Sequence, residues 1–417
     1  MALQEMTLPK STQPKEGVFS SFKRWLLSLG PGIITAALVF GPSKITITSK
    51  LGAEFSYALI WIIVLAVFFM AIFTTMSARI GIATDQSLLT TIKQKWGKKA
   101  GVAIGLGVFF VTASFQAGNS IGIGISMAEL THTTKTTWII AFNLIAISLL
   151  FFRSFYKVLE KIMIVLIMLM LFAFLTTLFL VSPAPRQVVT GLIPSIPEGS
   201  LGLVIAFAAS TFSIVGAFYQ AYLVQERKRI NPRAKLKQNA SLTGIIILGL
   251  MSIIVLVCAA GVLFPTGIKV SSATDMAKAL EPLFGRYAST LFLCGLFAAS
   301  FSALIGNSTL GGTLLGDAFG YGNQLNSKPI RILIATVMII GATIAIAFGK
   351  LPLELIVFAQ SITILIVPFI GLAMYAIAND GQIMGSLKNS PKTKVLAGLG
   401  LLLIIILAII NVNELIK

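Results

Sequence analysis

The chain has 417 residues, of which 56% are hydrophobic and 11% charged, against about a quarter charged in an average soluble domain. That composition excludes a soluble globular body, and two cysteines with a single histidine exclude a disulfide framework or a zinc finger. The net charge of +18 points first to nucleic acid, but its placement along the chain, set out below, excludes that partner.

Residues 1–25 read as a polar cytoplasmic tail. The apolar run that follows Lys23-Arg24 continues too far for a cleaved signal peptide and lacks a small-residue cleavage site. A spanning helix needs about 20 mostly apolar residues, because the hydrocarbon core is about 30 Å thick and each residue rises about 1.5 Å. About eleven segments meet this need, at 27–53, 56–79, 101–127, 136–153, 158–181, 201–224, 240–264, 284–306, 330–349, 353–377 and 394–412. Loops between them are short, so residues 26–417 are expected to form a single transmembrane domain.

The first segment reads LGPGIITAALVFGPSKITITSKLG, with Gly41-Pro42 at its middle. Proline removes a backbone donor and clashes with the preceding turn, which breaks or kinks a helix. A break in the bilayer is tolerated where the freed backbone faces protein or a water-filled cavity, and such breaks form substrate sites in many transporters. The fifth segment carries Met163, Met168 and Met170, which fit packing better than metal binding. In the sixth, TFSIVGAFYQAYLVQE holds a weak spot at Ser213 to Gly216. Cys258 and Cys294 sit in the apolar runs of the seventh and eighth as small core residues. The Gly-rich run SALIGNSTLGGTLLG is able to extend the eighth span and to allow close helix packing, with Asn307 and Ser308 as pathway candidates.

Lys and Arg in short loops set orientation. With the N-terminus inside, 23 basic residues fall on the cytoplasmic side, among them Lys93 and Lys95, Arg227 to Lys237, and Lys388 to Lys394. Only eight, including Lys50, Lys135 and Lys269, fall outside. The remaining one, Lys44, lies within a span. An N-in, C-out protein of the plasma membrane follows, with the bilayer as its surroundings and no nucleic-acid partner.

Four stretches resemble the Nramp family of divalent-metal transporters. GPGIITAA opens the first span, and YALIWIIVLAVFFMAIFTTMSARIGIATDQSL matches the second and its following loop. LEPLFGRYASTLFLCGLFAASFSALIGNSTLGG is similar to the eighth and ELIVFAQSITILIVPF to the tenth. The resemblance implies an all-α membrane protein of LeuT type. It has two inverted five-helix repeats at about 26–182 and 200–380, helices 1 and 6 broken at mid-membrane, and an added helix at 394–412.

The resemblance also locates the site. The family's Asp-Pro-Gly-Asn motif falls on Gly41, Pro42, Ser43 and Lys44, and its Met-Pro-His-Asn motif on Ser213, Ile214, Val215 and Gly216. A downstream histidine of the sixth helix becomes Gln220, and the acidic pair of the third span becomes Gln116 and Asn119. Gln360 of the tenth span is retained. Substrate binding is therefore expected at Gly41, Pro42, Ser43, Lys44, Ser213, Gly216 and Gln360, with Gln116, Asn119, Gln220 and Asn307 along the pathway. Gln116, Asn119 and Gln220 fit structural helix–helix hydrogen bonds equally well.

All fourteen acidic residues fall in tails, loops or near helix ends. Hard divalent cations prefer carboxylate oxygen, and proton relays favour intramembrane Asp, Glu or His. Divalent metal transport is the function the resemblance implies, with its usual metal and proton residues replaced and the metal ligands unassigned. The alternative is a small anion or zwitterion, such as an organic acid or amino-acid derivative, with Lys44 as fixed counter-charge. Lys44 either occupies the helix break or snorkels outward beside Lys50. A non-transporting sensor on the same frame is a third reading. No nucleophile–base or cofactor motif suggests an enzyme, and no cofactor is implied.

Overall fold

Long apolar runs separated by short basic loops fold as helices, because only a helix satisfies its backbone within one segment in lipid. A computed structural model describes residues 41–151, 153–212, 214–230, 242–325, 327–348 and 352–416. The tail, the first half of the first span and Ser213 lie outside the described residues. Among those described, the regular structure is helical: α1 Pro42–Phe55, α2 Ile60–Ala83, α3 Lys98–Thr131, α4 Lys135–Leu149, α5 Arg153–Val181 and α6 Leu201–Phe212. It continues through α7 Ile214–Ile230, α8 Leu242–Val262, α9 Ala288–Phe319, α10 Lys328–Ala347, α11 Pro352–Ala378 and α12 Pro391–Ile416.

Eight helical stretches among the described residues are long and apolar enough to cross a membrane, and Lys135–Leu149 and Ile167–Val181 are shorter apolar helices. The described part of every predicted segment is helical, with α6 and α7 sharing the sixth. The Gly-rich run does extend the eighth span, since α9 reaches Phe319. Outer faces keep large apolar side chains exposed, such as Phe110, Phe172, Phe369 and Ile409. A bilayer covers such faces.

Two local features position the interior. At Gly41 the backbone is extended (φ −80°, ψ 179°), and α1 starts at Pro42, whose missing N–H is no loss at a first helical position. A simple kink would carry the helix through Gly41; instead α1 begins there. In the sixth span, Ile214, Val215 and Gly216 are helical. Of the weak spot expected over Ser213 to Gly216, the described part is regular helix, since an isolated glycine costs a helix only about 1 kcal/mol.

The two longest helices, α3 and α9, lie against each other, with α10 beside them. A Cβ at Gly311 would stand 2.1 Å from Thr112 Oγ1, and one at Gly312 would stand 2.5 Å from the Ile334 backbone nitrogen. Glycine is required at both by close approach. Met170 is fully buried while Met168 is exposed, as packing positions on α5 would be. Cys258 is buried, with its Sγ donating to the Phe174 carbonyl at 3.3 Å.

Polar ties gather at one end of the bundle. Lys228 pairs with Asp85 at 2.6 Å, Arg79 Nη2 donates to Asn389 Oδ1 at 2.6 Å, and Lys95 pairs with Asp380. There Tyr222 of α7 donates its hydroxyl hydrogen to Asp317 Oδ2 of α9 at 2.5 Å and accepts from the Leu89 amide at 3.3 Å. Lys93 donates to the Asp317 carbonyl. At the opposite end, Thr274 donates to Glu129 at the end of α3.

Candidate functional site

The first turn of α1 opens on an interior cavity of about 180 Å³. Gly41, Ser43 and Lys44 line it from α1, Phe115 and Asn119 from α3, and Ser210 from α6. Val215, Gly216, Tyr219, Gln220 and Leu223 enter from α7, Ala303, Gly306, Asn307 and Leu310 from α9, and Gln360 from α11. On α7 and α9 the lining positions follow steps of three and four residues, which is one face of a helix.

Eight predicted residues meet here: Gly41, Ser43, Lys44, Gly216, Gln360, Asn119, Gln220 and Asn307. Three do not. Pro42 packs instead over Gly122, where an added Cβ would stand 2.7 Å from the proline Cβ. Gln116 lies behind the wall, buried against Gly341, and accepts from Asn119 Nδ2 at 3.3 Å. Ser213 lies outside the described residues. Ser308, one position beyond Asn307, is buried and donates to the Leu304 carbonyl at 2.7 Å, a bond within its own helix. Phe115, Ser210 and Tyr219 were not expected. Extending the helical step from Asn119 and from Gly216 and Gln220 would have reached Phe115 and Tyr219; Ser210, across Ser213, gives no such signal.

Lys44 does not snorkel. It is 2% exposed, and its Nζ has no hydrogen-bond partner among the described residues. Its backbone is held firmly, since its N–H donates to the Gly41 carbonyl at 3.1 Å and its carbonyl accepts from Thr48 Oγ1 at 2.6 Å. Lys50, by contrast, is partly exposed and 4.0 Å from Glu54. An ammonium in the first helical turn stands where the helix dipole disfavours a cation and favours an anion. Lys44 therefore gains nothing from its own helix.

Gln360 is 1% exposed, and its Oε1 has no partner among the described residues. The other polar groups of the lining are neutral amides and hydroxyls. Among the described residues no three His, Cys, Asp or Glu side chains group as a metal site. The cavity wall combines one buried positive charge, a helix N-terminus and several neutral hydrogen-bonding groups. Such a wall is able to orient a small polar solute, and its one basic group is the Lys44 amine.

Residues 32–414 match the family profile described as natural resistance-associated macrophage protein-like, Nramp. The chain is 28% identical to a divalent metal cation transporter MntH of Clostridium acetobutylicum, over 94% of this chain and 92% of that one. It is 25% identical to an MntH of Chromohalobacter salexigens, over 93% and 90%. Among solved structures, the fold is similar to a mutant of the Eremococcus coleocola manganese transporter in which a histidine is replaced by alanine. There the TM-score is 0.74 at 21% identity, over 97% of this chain and 89% of that one. It is also similar to Mhp1, a nucleobase-cation-symport-1 transporter in a closed conformation with bromovinylhydantoin bound. That TM-score is 0.59 at 14% identity, over 93% and 92%.

Proposed function

The chain belongs to the Nramp family, whose profile spans nearly all of it, and on that premise we propose that it is a secondary transporter carrying a small ion through the cavity beside α1. One observation carries this reading: five helices converge on a cavity lined by several hydrogen-bonding groups where a sixth, α1, begins. Interrupted helices with their ends turned toward a midplane site are how many secondary transporters hold cargo.

The relatives' names give divalent metal cations as the family cargo. A partly hydrated cation held by the oxygens of Ser43, Asn119, Asn307 and Gln360 is the form of it this lining supports, because hard cations accept carbonyl and water oxygen. In proteoliposomes, saturable Mn²⁺ or Mg²⁺ uptake above that of protein-free vesicles is expected; none with either ion would overturn the metal cargo. The plasma membrane is the proposed location. The basic excess supports an N-in topology that puts the Lys95–Asp380 and Lys228–Asp85 ties on the cytoplasmic side. Residues 26–182 and 200–380 form the two repeats, with 394–412 appended.

A second reading, cargo that is a small anion or zwitterion, is favoured by one observation: the buried ammonium of Lys44 without a partner among the described residues. A buried charge is stable when it is paired, and the lining supplies no anion.

A further inference from the structure

We propose that the cavity binds a small carboxylate that also bears a hydrogen-bond donor, with the carboxylate on Lys44 and the donor on Gln360. The inference rests on the transporter reading of the cavity and takes its second cargo, the anion or zwitterion, in place of the metal. Four observations converge on it.

The first is charge. Lys44 lines the cavity, and its Nζ is buried and has no partner among the described residues. No lining residue is acidic, so the wall carries a net positive charge. A cation entering this space adds like charge to like, whereas a carboxylate completes a charge-assisted hydrogen bond. The second is direction. The fourteen-residue helix α1 starts at the same wall through Gly41 and Ser43, and a helix N-terminus attracts anions. Lys44 and the helix end therefore favour the same sign of ligand.

The third is the acceptor. Gln360 lines the same cavity, its Oε1 is buried and unpaired among the described residues, and a buried acceptor left unpaired is costly. A simple halide or an unsubstituted fatty acid satisfies Lys44 and leaves this oxygen orphaned. A 2-hydroxy or 2-amino acid carries a group for each. The fourth is size. About 180 Å³ exceeds what a bare ion needs and suits a molecule of a few carbons. Phe115, Val215, Leu223 and Leu310 supply the apolar part of the wall for its remainder.

The test uses the purified full-length protein, with binding read by thermal shift and transport by uptake into proteoliposomes. Four probes separate the features: lactate and alanine carry both groups, propionate lacks the donor, and lactamide lacks the carboxylate. Lactate or alanine is expected to stabilise the protein and to be taken up saturably, propionate to bind more weakly, and lactamide not to bind. Lys44→Met should weaken lactate or alanine at least about tenfold, the loss of one hydrogen bond to a charged group. Lys44→Arg, which keeps the charge, should retain part of it. Gln360→Leu should bring lactate or alanine down to the level of propionate, and it guards against misfolding of the lysine variant.

Absence of any shift with both lactate and alanine would overturn the proposal, as would equal binding of lactate and lactamide. Mn²⁺ uptake that ignores all four probes and is unchanged in Lys44→Met would leave the transporter standing and remove the carboxylate. Specific binding of lactate or alanine without flux of any cargo would do the reverse.

Discussion

At Gly41 the backbone is already in the conformation a helix start requires, and the position faces the cavity. A Cβ there would stand 3.2 Å from Ala303 Cβ and 3.5 Å from Asn119 Oδ1, a tight but accessible space. A carboxylate at this point would sit beside the amide of Asn119, in the cavity that Gln360 also lines. Hard cations take carboxylate with amide oxygen, and the repulsion from Lys44 would be absent in a neutral variant. The pair Gly41→Asp with Lys44→Asn is therefore expected to bind Mn²⁺ more tightly than the parent, read by thermal shift against Mn²⁺ concentration. An unchanged Mn²⁺ response would show that side chains outside this wall govern cation binding.

The depth of Lys44 was the point the sequence left open. A lysine about two turns from Lys50 on one helix is equally compatible with burial and with snorkelling, because depth depends on which neighbours close over it. The residues that share its cavity come from α3, α6, α7, α9 and α11, far away in sequence. Distant packing of this kind leaves no local pattern to read. The lining face of a single helix, by contrast, is periodic, which is why Gly216 and Gln220 point to Tyr219.

Among the elements, α3 and α9 depend on small residues where their backbones and side chains interlock. Gly312→Val would drive a branched side chain into the α10 backbone at Ile334. Overpacking of this kind costs about 1–3 kcal/mol, and more where backbone must move. A lower melting temperature in detergent is expected; an unchanged one would mean α10 shifts freely. The same Gly-rich run was legible as a helix extension because it contains no proline, although Gly306 to Thr309 are turn-forming residues. The helix start at Pro42 was legible for the opposite reason. The sixth span was harder: a glycine among β-branched residues weakens a helix without ending it, and Ile214 to Gly216 stay helical.

Tyr222 ties α7 to α9 through Asp317 and to the short helix Leu88–Trp96 through the Leu89 amide. This joins three elements at one end with one hydroxyl group. Tyr222→Phe removes the partner of the Asp317 oxygen and of the Leu89 amide, a loss of about 1–3 kcal/mol. Faster hydrogen exchange at Leu89 and its neighbours is expected, with the far end of α3 unaffected. Uniform acceleration through the chain would instead indicate global destabilisation.

For the whole molecule, the ion pairs at that same end add a response to pH. Hydrogen bonding and charge from Lys228 hold Asp85 below the ordinary carboxylate range, and the Lys95 hydrogen bond does the same for Asp380. A carboxylate depressed in the folded state contributes stability above its unfolded pKa and loses it as pH falls through the folded value. The ties should therefore be intact near neutrality and loosen below about pH 4. Since both carboxylates are reached by solvent, high salt should weaken them as well. Melting curves of the parent against Asp85→Asn with Asp380→Asn are expected to converge in acid and in concentrated salt; a constant gap would refute the assignment.

The fixed charge of Lys44 also bears on energy conversion. With a monovalent carboxylate in place the loaded cavity is neutral, while the empty one carries a positive charge through the reorientation that resets it. A membrane potential acts on a moving elementary charge with about 2.3 kcal/mol per 100 mV. Exchange of cargo for cargo should then ignore voltage, and net uptake should depend on it. A carrier of this design is electrogenic on its empty stroke, so the cell's potential difference, and not the cargo gradient alone, would set how far it concentrates what it carries.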